Sequence, residues 1–275
     1  MHRHNQAAEG WLDEKIPVFN HGYITLVDYM GNDARIAEAA RQSTTGKTKG
    51  EKEDRTLIRY MLDCSHPPHT SPFEMVETVW KVRMPIFVAR QWVRHRTASL
   101  NEYSGRYSVM PDEAYVPGTE RLREGAQNTV NRQGSAASEL DDEAVRRAQQ
   151  QFGDEQRAAF DNYHDYLNGF ELSKELARIN LPLSTYTTWM WKIDLHNLFH
   201  FLYLRLDDHA QYEIRKYAGV IWEIVQDIAP MACEAFRDFK LEAKVLSRIQ
   251  REALLEAAEK GLWADLANMV EEYLR

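Results

Sequence analysis

Arg94-His95-Arg96-Thr97-Ala98-Ser99-Leu100-Asn101-Glu102-Tyr103-Ser104-Gly105-Arg106 crowds three arginines, a histidine, a glutamate, an asparagine and two serines into thirteen residues. The residues before it, Pro85 to Val93, have the pattern of a helix, with Pro85 near the first turn, where a missing N–H costs little. Ile86, Ala89 and Val93, flanked by Phe87, Val88 and Trp92, give that helix one broad apolar side. Gln91, Arg94 and His95 stand at i, i+3 and i+4 and therefore share a face. Arginine is always charged, and its planar fork matches phosphate or carboxylate. Several arginines around one loop repel one another unless an anion or a set of carboxylates sits among them. Asn101, Glu102 and Ser104 add groups able to read the edge of a heterocycle, and Gly105 permits close backbone approach. A phosphorylated, base-bearing ligand would satisfy both halves. A solvated basic loop with local caps is the plainer alternative.

The rest of the chain bounds that reading. At 275 residues it can bury a substantial core, and 44% hydrophobic with 11% aromatic residues is a globular composition. A net charge of −8 argues against bulk nucleic-acid binding, so the arginine loop is a local positive site on an acidic protein. Cys64 and Cys233 are the only cysteines, which implies no disulfide framework and suits a reducing compartment. The N-terminus lacks an apolar signal-peptide core and no apolar run approaches membrane-spanning length, so the expected protein is soluble and cytoplasmic.

In chain order, residues 1–15 read as a loose polar leader. Tyr23 to Asp28 reads as a strand turned by Gly31-Asn32, with Asp33 as cap of a helix ending near Ser43. Thr44 to Lys52 reads as a loop, and Leu57, Ile58, Met61 and Leu62 mark an amphipathic helix. Cys64, His66 and His69 invite a metal reading, but no second Cys/His cluster with finger spacing follows and Pro67-Pro68 suggests a stiff turn. Val76 to Met84 alternates as a strand does. Residues 124–142 are polar and small, as expected of a surface loop or insertion. A long helix follows, with Val145, Ala148, Phe152, Ala159, Tyr163, Tyr166 and Phe170 near one side and Asn168-Gly169 as its stop. Leu172 to Asn180 reads as a short helix carrying Arg178, and Thr185 to Ile193 as a strand. Asp194 is placed to cap a helix with Leu195, Leu198, Phe199, Leu202 and Leu206 as its stripe, and His196 and His200 share one face of it. Arg205 arrives beside Asp207, Asp208 and His209, so pairing with those aspartates competes with a ligand role. Residues 212–232 continue as a helix, and Leu241 to Ala258 and Trp263 to Leu274 are further helical stretches.

The arginine stretch resembles the RHRxxSxNExSxR signature of the flavin-dependent thymidylate synthases, with every fixed position filled from Arg94 to Arg106. His69-Thr70-Ser71-Pro72-Phe73-Glu74 resembles that family's H-x-[ST]-P-F-E element. The segment around Arg178 resembles its A-R-x-x-L-P-L, and Leu204 to Ile214 resembles its L-R-x-x-x-H-A-Q-x-E-I block. These elements keep the family's order over residues 20 to 235, which makes the resemblance specific.

The resemblance implies an α+β fold, an antiparallel sheet with flanking helices. It implies a catalytic domain over 16–235, with the polar insertion near 124–142 and a C-terminal helical extension over 236–275. It implies conversion of dUMP to dTMP with methylenetetrahydrofolate as carbon donor, and FAD, reduced by NADPH, as hydride source. By the same resemblance Gln91, Trp92, Val93, Arg94, Glu102, Tyr103, Ser104, Gly105, Arg106, Arg178 and Arg205 would contact dUMP, with Arg205 catalytic at the uracil edge. Ser71, Arg94, His95, Arg96, Glu102, Asp194, Leu195, His196 and His200 would hold FAD. Asp194 stands where several members carry Asn, and His196 and His200 stand where some carry Arg and Asn. Ser104 reads as a ligand contact rather than a nucleophile, since no base stands beside it in sequence. The family's homotetramer, with active sites shared among subunits, is the expected assembly, with neither nucleic acid nor membrane as partner. A non-catalytic nucleotide-binding module and a histidine metalloenzyme using His66, His69, His196, His200 or His209 are the rival readings.

Overall fold

The computed structural model describes residues 5–43, 50–127, 135–136 and 140–260. The first half of the chain runs α1 (Gln6–Glu9), β1 (Ile16–Val18), β2 (Gly22–Met30), α2 (Asp33–Gln42), α3 (Glu51–Leu62), β3 (Glu77–Pro85), α4 (Ile86–Trp92) and β4 (Ser99–Glu102). Then come α5 (Thr119–Arg123), β5 (Ala126–Gln127), β6 (Ser135–Ala136), α6 (Asp142–Asn168), α7 (Lys174–Ala177), β7 (Tyr186–Asp194), α8 (Leu195–Arg205), α9 (Tyr212–Ile228), α10 (Pro230–Phe236) and α11 (Arg248–Glu259). Five strands form an antiparallel sheet in the order β1-β2-β3-β7-β4, and β5 and β6 make a separate two-stranded ribbon. This is the α+β class that the resemblance implies.

The sheet follows from period-two burial. Thr78, Trp80, Val82 and Met84 of β3 are fully buried, and Trp189, Trp191 and Ile193 of β7 join them, while Lys81, Met190 and Lys192 are exposed. Trp80 pairs directly with Trp191 and Val82 with Trp189, so the register puts the large side chains on one face. Helices α4, α8 and α9 cover that face with Val88, Trp92, Leu198, Phe201, Tyr217 and Ile221. Gly31 turns the chain out of β2 at φ 85°, a left-handed conformation that glycine adopts freely.

Several local expectations need correction. The helix after β2 is capped by Asn32, whose side chain accepts from Ala34 N. Asp33 lies one residue inside and is buried, its carboxylate receiving the N–H groups of Met231 and Ala232, both at 2.9 Å, at the start of α10. The loose leader is instead packed from residue 5 onward: Ala8 is buried, and Trp11 Nε1 donates to Asp227 at 2.8 Å. Residues 212–232 are two helices, because the backbone departs from helical angles at Ala229 (φ −139°, ψ 71°) and Pro230 begins a new one. Phe152 of α6 and Phe170, just past its end, face solvent, and Gln156 is buried within α6 instead, donating to Tyr115 O and Ser184 Oγ. The helix expected over 241–258 begins only at Arg248, capped by Ser247. Of the loop expected over 44–52, residues 44–49 lie outside the described residues and Glu51 already opens α3; most of the stretch at 124–142 and the helix expected at 263–274 lie outside them too. Among the described residues no helix is long and apolar enough to cross a membrane.

Candidate active site

Helix α4 is held by Trp92, which stacks on Phe201 with ring centroids 4.7 Å apart and meets Trp191 edge-on at 5.1 Å. That indole is fully buried, so only the backbone of Trp92 is left to meet a ligand, and Val93, expected on the apolar side, is exposed. The last carbonyls of α4 close the turn, with Arg94 N and His95 N donating to Gln91 O and Trp92 O.

Arg205, the last residue of α8, reaches that turn. Its Nη2 donates to Gln91 O at 3.3 Å, which sets a cation on a helix C-terminus, and its Nε donates to His95 Nε2 at 3.0 Å. The pairing with Asp207 and Asp208 does not form: Asp207 binds His209, and Asp208 binds Arg215. A guanidinium only donates, so the bond fixes His95 as neutral with Nε2 bare. Burial, then the charge of Arg205, then His200 push the His95 pKa down to about 4. Burial and the neighbouring Arg94 also lower that of Arg205.

These residues open onto a cleft of about 480 Å³ lined by Arg94, His95, Arg96, Thr97, Ile193, Asn197, His200, Leu204 and Arg205. No carboxylate lines it, and among the described residues Arg94, Arg96 and Arg205 meet none elsewhere. His200 also borders a second, more apolar hollow of about 300 Å³, where it is joined by His196, Thr70, Phe199, Tyr203 and Phe239. Asp194 caps α8 as expected, but both its oxygens are taken, Oδ1 by Asn197 N at 2.9 Å and Oδ2 by Asn197 Nδ2 at 2.7 Å. The Leu195 side chain is fully buried. Ser71 opens the 3₁₀ turn Ser71–Met75, which packs on α8.

The second half of the signature is strand β4, an edge strand that pairs Ser99 to Glu102 with β7. Glu102 Oε1 accepts from Thr187 Oγ1 at 2.7 Å. Tyr103 donates its hydroxyl to Val109 O, and Ser104 Oγ accepts from Arg106 N at 3.3 Å, a turn contact with no base attached. Gly105 is buried where a Cβ would come within 2.7 Å of Met110 Sδ and 3.2 Å of Arg178 Cδ. Arg106 pairs with Glu175, its Nε at 3.0 Å from Oε2. The expected residues thus form two groups, Arg94, His95, Arg96, His200 and Arg205 lining the cleft with Gln91 behind Arg205, and Ser104, Gly105, Arg106 and Arg178 beside β4. Arg178 does not line the cleft.

Thr97, Asn197 and Thr187 escaped the sequence reading. Asn197 had a visible signal, its place three residues after the capping Asp194. Near Cys64, the rings of His66 and His69 cluster with Tyr60, their centroids 4.5 and 6.1 Å from its own and 5.8 Å from each other. Among the described residues no three His, Cys, Asp or Glu side chains gather as a metal site would require.

The family described as thymidylate synthase complementing protein matches this chain over residues 25–231. The chain belongs to that family. Among its relatives, the flavin-dependent thymidylate synthase of Ruegeria pomeroyi is 48% identical over 243 residues, covering 87% of this chain and 78% of the relative. That of Treponema denticola is 47% identical over 258 residues, covering 91% and 93%. Among solved structures, a UMP/dUMP methylase, PolB from Streptomyces cacaoi bound with 5-Br dUMP, superimposes with a TM-score of 0.72 at 30% identity, over 82% of this chain and 99% of that one.

Proposed function

We propose that this chain is a flavin-dependent thymidylate synthase that methylates dUMP to dTMP, with methylenetetrahydrofolate as carbon donor, FAD as the flavin and NADPH as its reductant. The observation that carries the reading is the cleft's charge, with Arg94, Arg96 and Arg205 gathered beside a neutral His95 and no carboxylate to balance them. Such a site is incomplete without an anion. The donor set suits both halves of the ligands: cations for phosphates, and the hollow at Phe199, Tyr203 and Phe239 for an apolar ring. Arg94, His95, Arg96, His196 and His200 would hold the flavin with Ser71 and Glu102, and Asp194 and Leu195 would serve through their backbone. When bound, the flavin supplies hydride chemistry. Arg205, braced from two sides, would stand at the uracil edge and favour negative charge as C6 gains hydride and C5 becomes nucleophilic. Gln91, Arg94, Ser104, Gly105, Arg106 and Arg178 would orient dUMP, with Trp92, Val93 and Tyr103 lending backbone. Since Arg178 stands apart from the cleft, the full substrate site would form between copies, in a homotetramer of a cytoplasmic enzyme.

The test is the visible spectrum of the purified protein before and after anaerobic NADPH, followed by a dTMP assay. The expected result is a flavin spectrum that bleaches, and dTMP formed from dUMP and methylenetetrahydrofolate. A colourless protein that also fails to take up FAD would return the cleft to plain anion binding.

A further inference from the structure

Behind Gln91 lies a buried chain of polar groups that the functional reading leaves unused. Glu213 is 3% exposed. Its Oε1 accepts from Arg121 Nε at 2.7 Å and from the Tyr115 hydroxyl at 3.2 Å, and its Oε2 accepts from Gln211 Nε2 at 2.7 Å. Gln211 Oε1 in turn accepts from Gln91 Nε2. Paired with Arg121, the carboxylate of Glu213 has only acceptors to offer. Gln211 must therefore turn its NH₂ toward Glu213 and its oxygen toward Gln91. Gln91 must then spend its own NH₂ on that oxygen. Its Oε1 is left over, with no donor on it among the described residues, while its main-chain oxygen holds Arg205. Two amides that would otherwise be free to turn over are locked in one direction by a single buried charge.

We infer that Glu213, acting through Gln211, is a positioning residue that fixes Gln91 as a hydrogen-bond acceptor at the pyrimidine, where Oε1 receives the imide N3–H. This rests on the proposed function, which puts Arg205 and hence its neighbour Gln91 at the uracil edge. A pyrimidine whose N3 carries a lone pair, as in cytosine, would set acceptor against acceptor. Sites built to bond a substrate N–H reject the analogue lacking it, because the protein group is then left unpaired.

The test uses the full chain loaded with FAD and measures the affinities of dUMP, N3-methyl-dUMP and dCMP by calorimetry. The wild type is expected to favour dUMP over both analogues by at least about tenfold, as one well-made hydrogen bond provides. In Glu213→Gln the amides can reverse, and the preference for dUMP over dCMP, whose N3 lone pair then meets an amide N–H, should fall below about threefold. Gln211→Leu cuts the chain while sparing the Glu213–Arg121–Tyr115 contacts, so it tests the same point if the first variant fails to fold. A wild type that binds all three ligands equally overturns the inference. So do variants that keep the wild-type preference for dUMP over dCMP, or that lose affinity equally for every ligand. A wild type that binds none of the three defeats the functional reading itself.

Discussion

The cleft around Arg205 and a cleft around Arg83 are nearly the same size, about 480 and about 490 Å³. Both are polar and both hold arginine. In the second, lined by Lys15, Asn20, His21, Arg83 and Glu113, the charges are answered from within: Glu113 pairs with Arg83, and His21 Nδ1 is 4.0 Å from the same carboxylate. Lys15 lies over the Tyr23 ring, 4.1 Å from its centroid. In the first no carboxylate is present, and the nearest titratable neighbour of Arg205 is a histidine held neutral. Size does not tell a binding cleft from a fold in the surface. Unanswered charge does, because a protein keeps like charges together only where something else completes them.

The contrast can be broken at its strongest point first. Arg205→Ala should lower dTMP formation at least about hundredfold, the usual cost of removing one preorganised charge, while the melting temperature moves little. Near-normal turnover would remove Arg205 from its role. Next, His95→Ala or His200→Ala should leave about tenfold less flavin on the protein after desalting, read from its visible absorbance. Unchanged flavin content would take that residue out of the site.

A smaller effect concerns pH. The folded pKa of His95, about 4, lies below the ordinary 6.5, so its neutral form stabilises the fold above pH 6.5. That contribution is withdrawn as pH falls through the window down to about 4. An NMR titration of His95 should show its midpoint near pH 4, and Arg205→Ala should move it upward. A midpoint at 6.5 in the wild type would contradict the buried bond. Smallest of all, Glu113→Gln should free Arg83 and let the second cleft take up inorganic phosphate at about millimolar affinity, with dTMP formation unchanged. No phosphate binding would mean that charge balance is not what separates the clefts.

How much of this was legible in the sequence depends on where the physics lies. The alternation of β3 and the capping Asp194 are local, and both were readable. Strand β4 was not, because Ser99 to Glu102 form an exposed edge whose pairing is made by backbone alone. Gln156 and Phe152 exchange the places their polarity suggests because Gln156 finds partners on Tyr115 and Ser184, residues far off in the chain. In the site, the motif named Arg94, His95 and Arg205, but nothing in it says that Arg205 would choose His95 over Asp207. Nor could it show Arg106 meeting Glu175, or Glu213 standing behind Gln91, since those contacts exist only once distant segments meet.

The two bonds from Asp33 to the start of α10 have a consequence for how the protein is made. They join positions 198 and 199 residues apart. Closing so long a loop costs only slightly more entropy than closing a shorter one, but it cannot begin until the far end exists. A ribosome that has finished α9 has therefore built a sheet and most of its helices, with Asp33 still waiting for its donors. Among the described residues, the last buried helix to be synthesised is the one that the first long helix was shaped to receive.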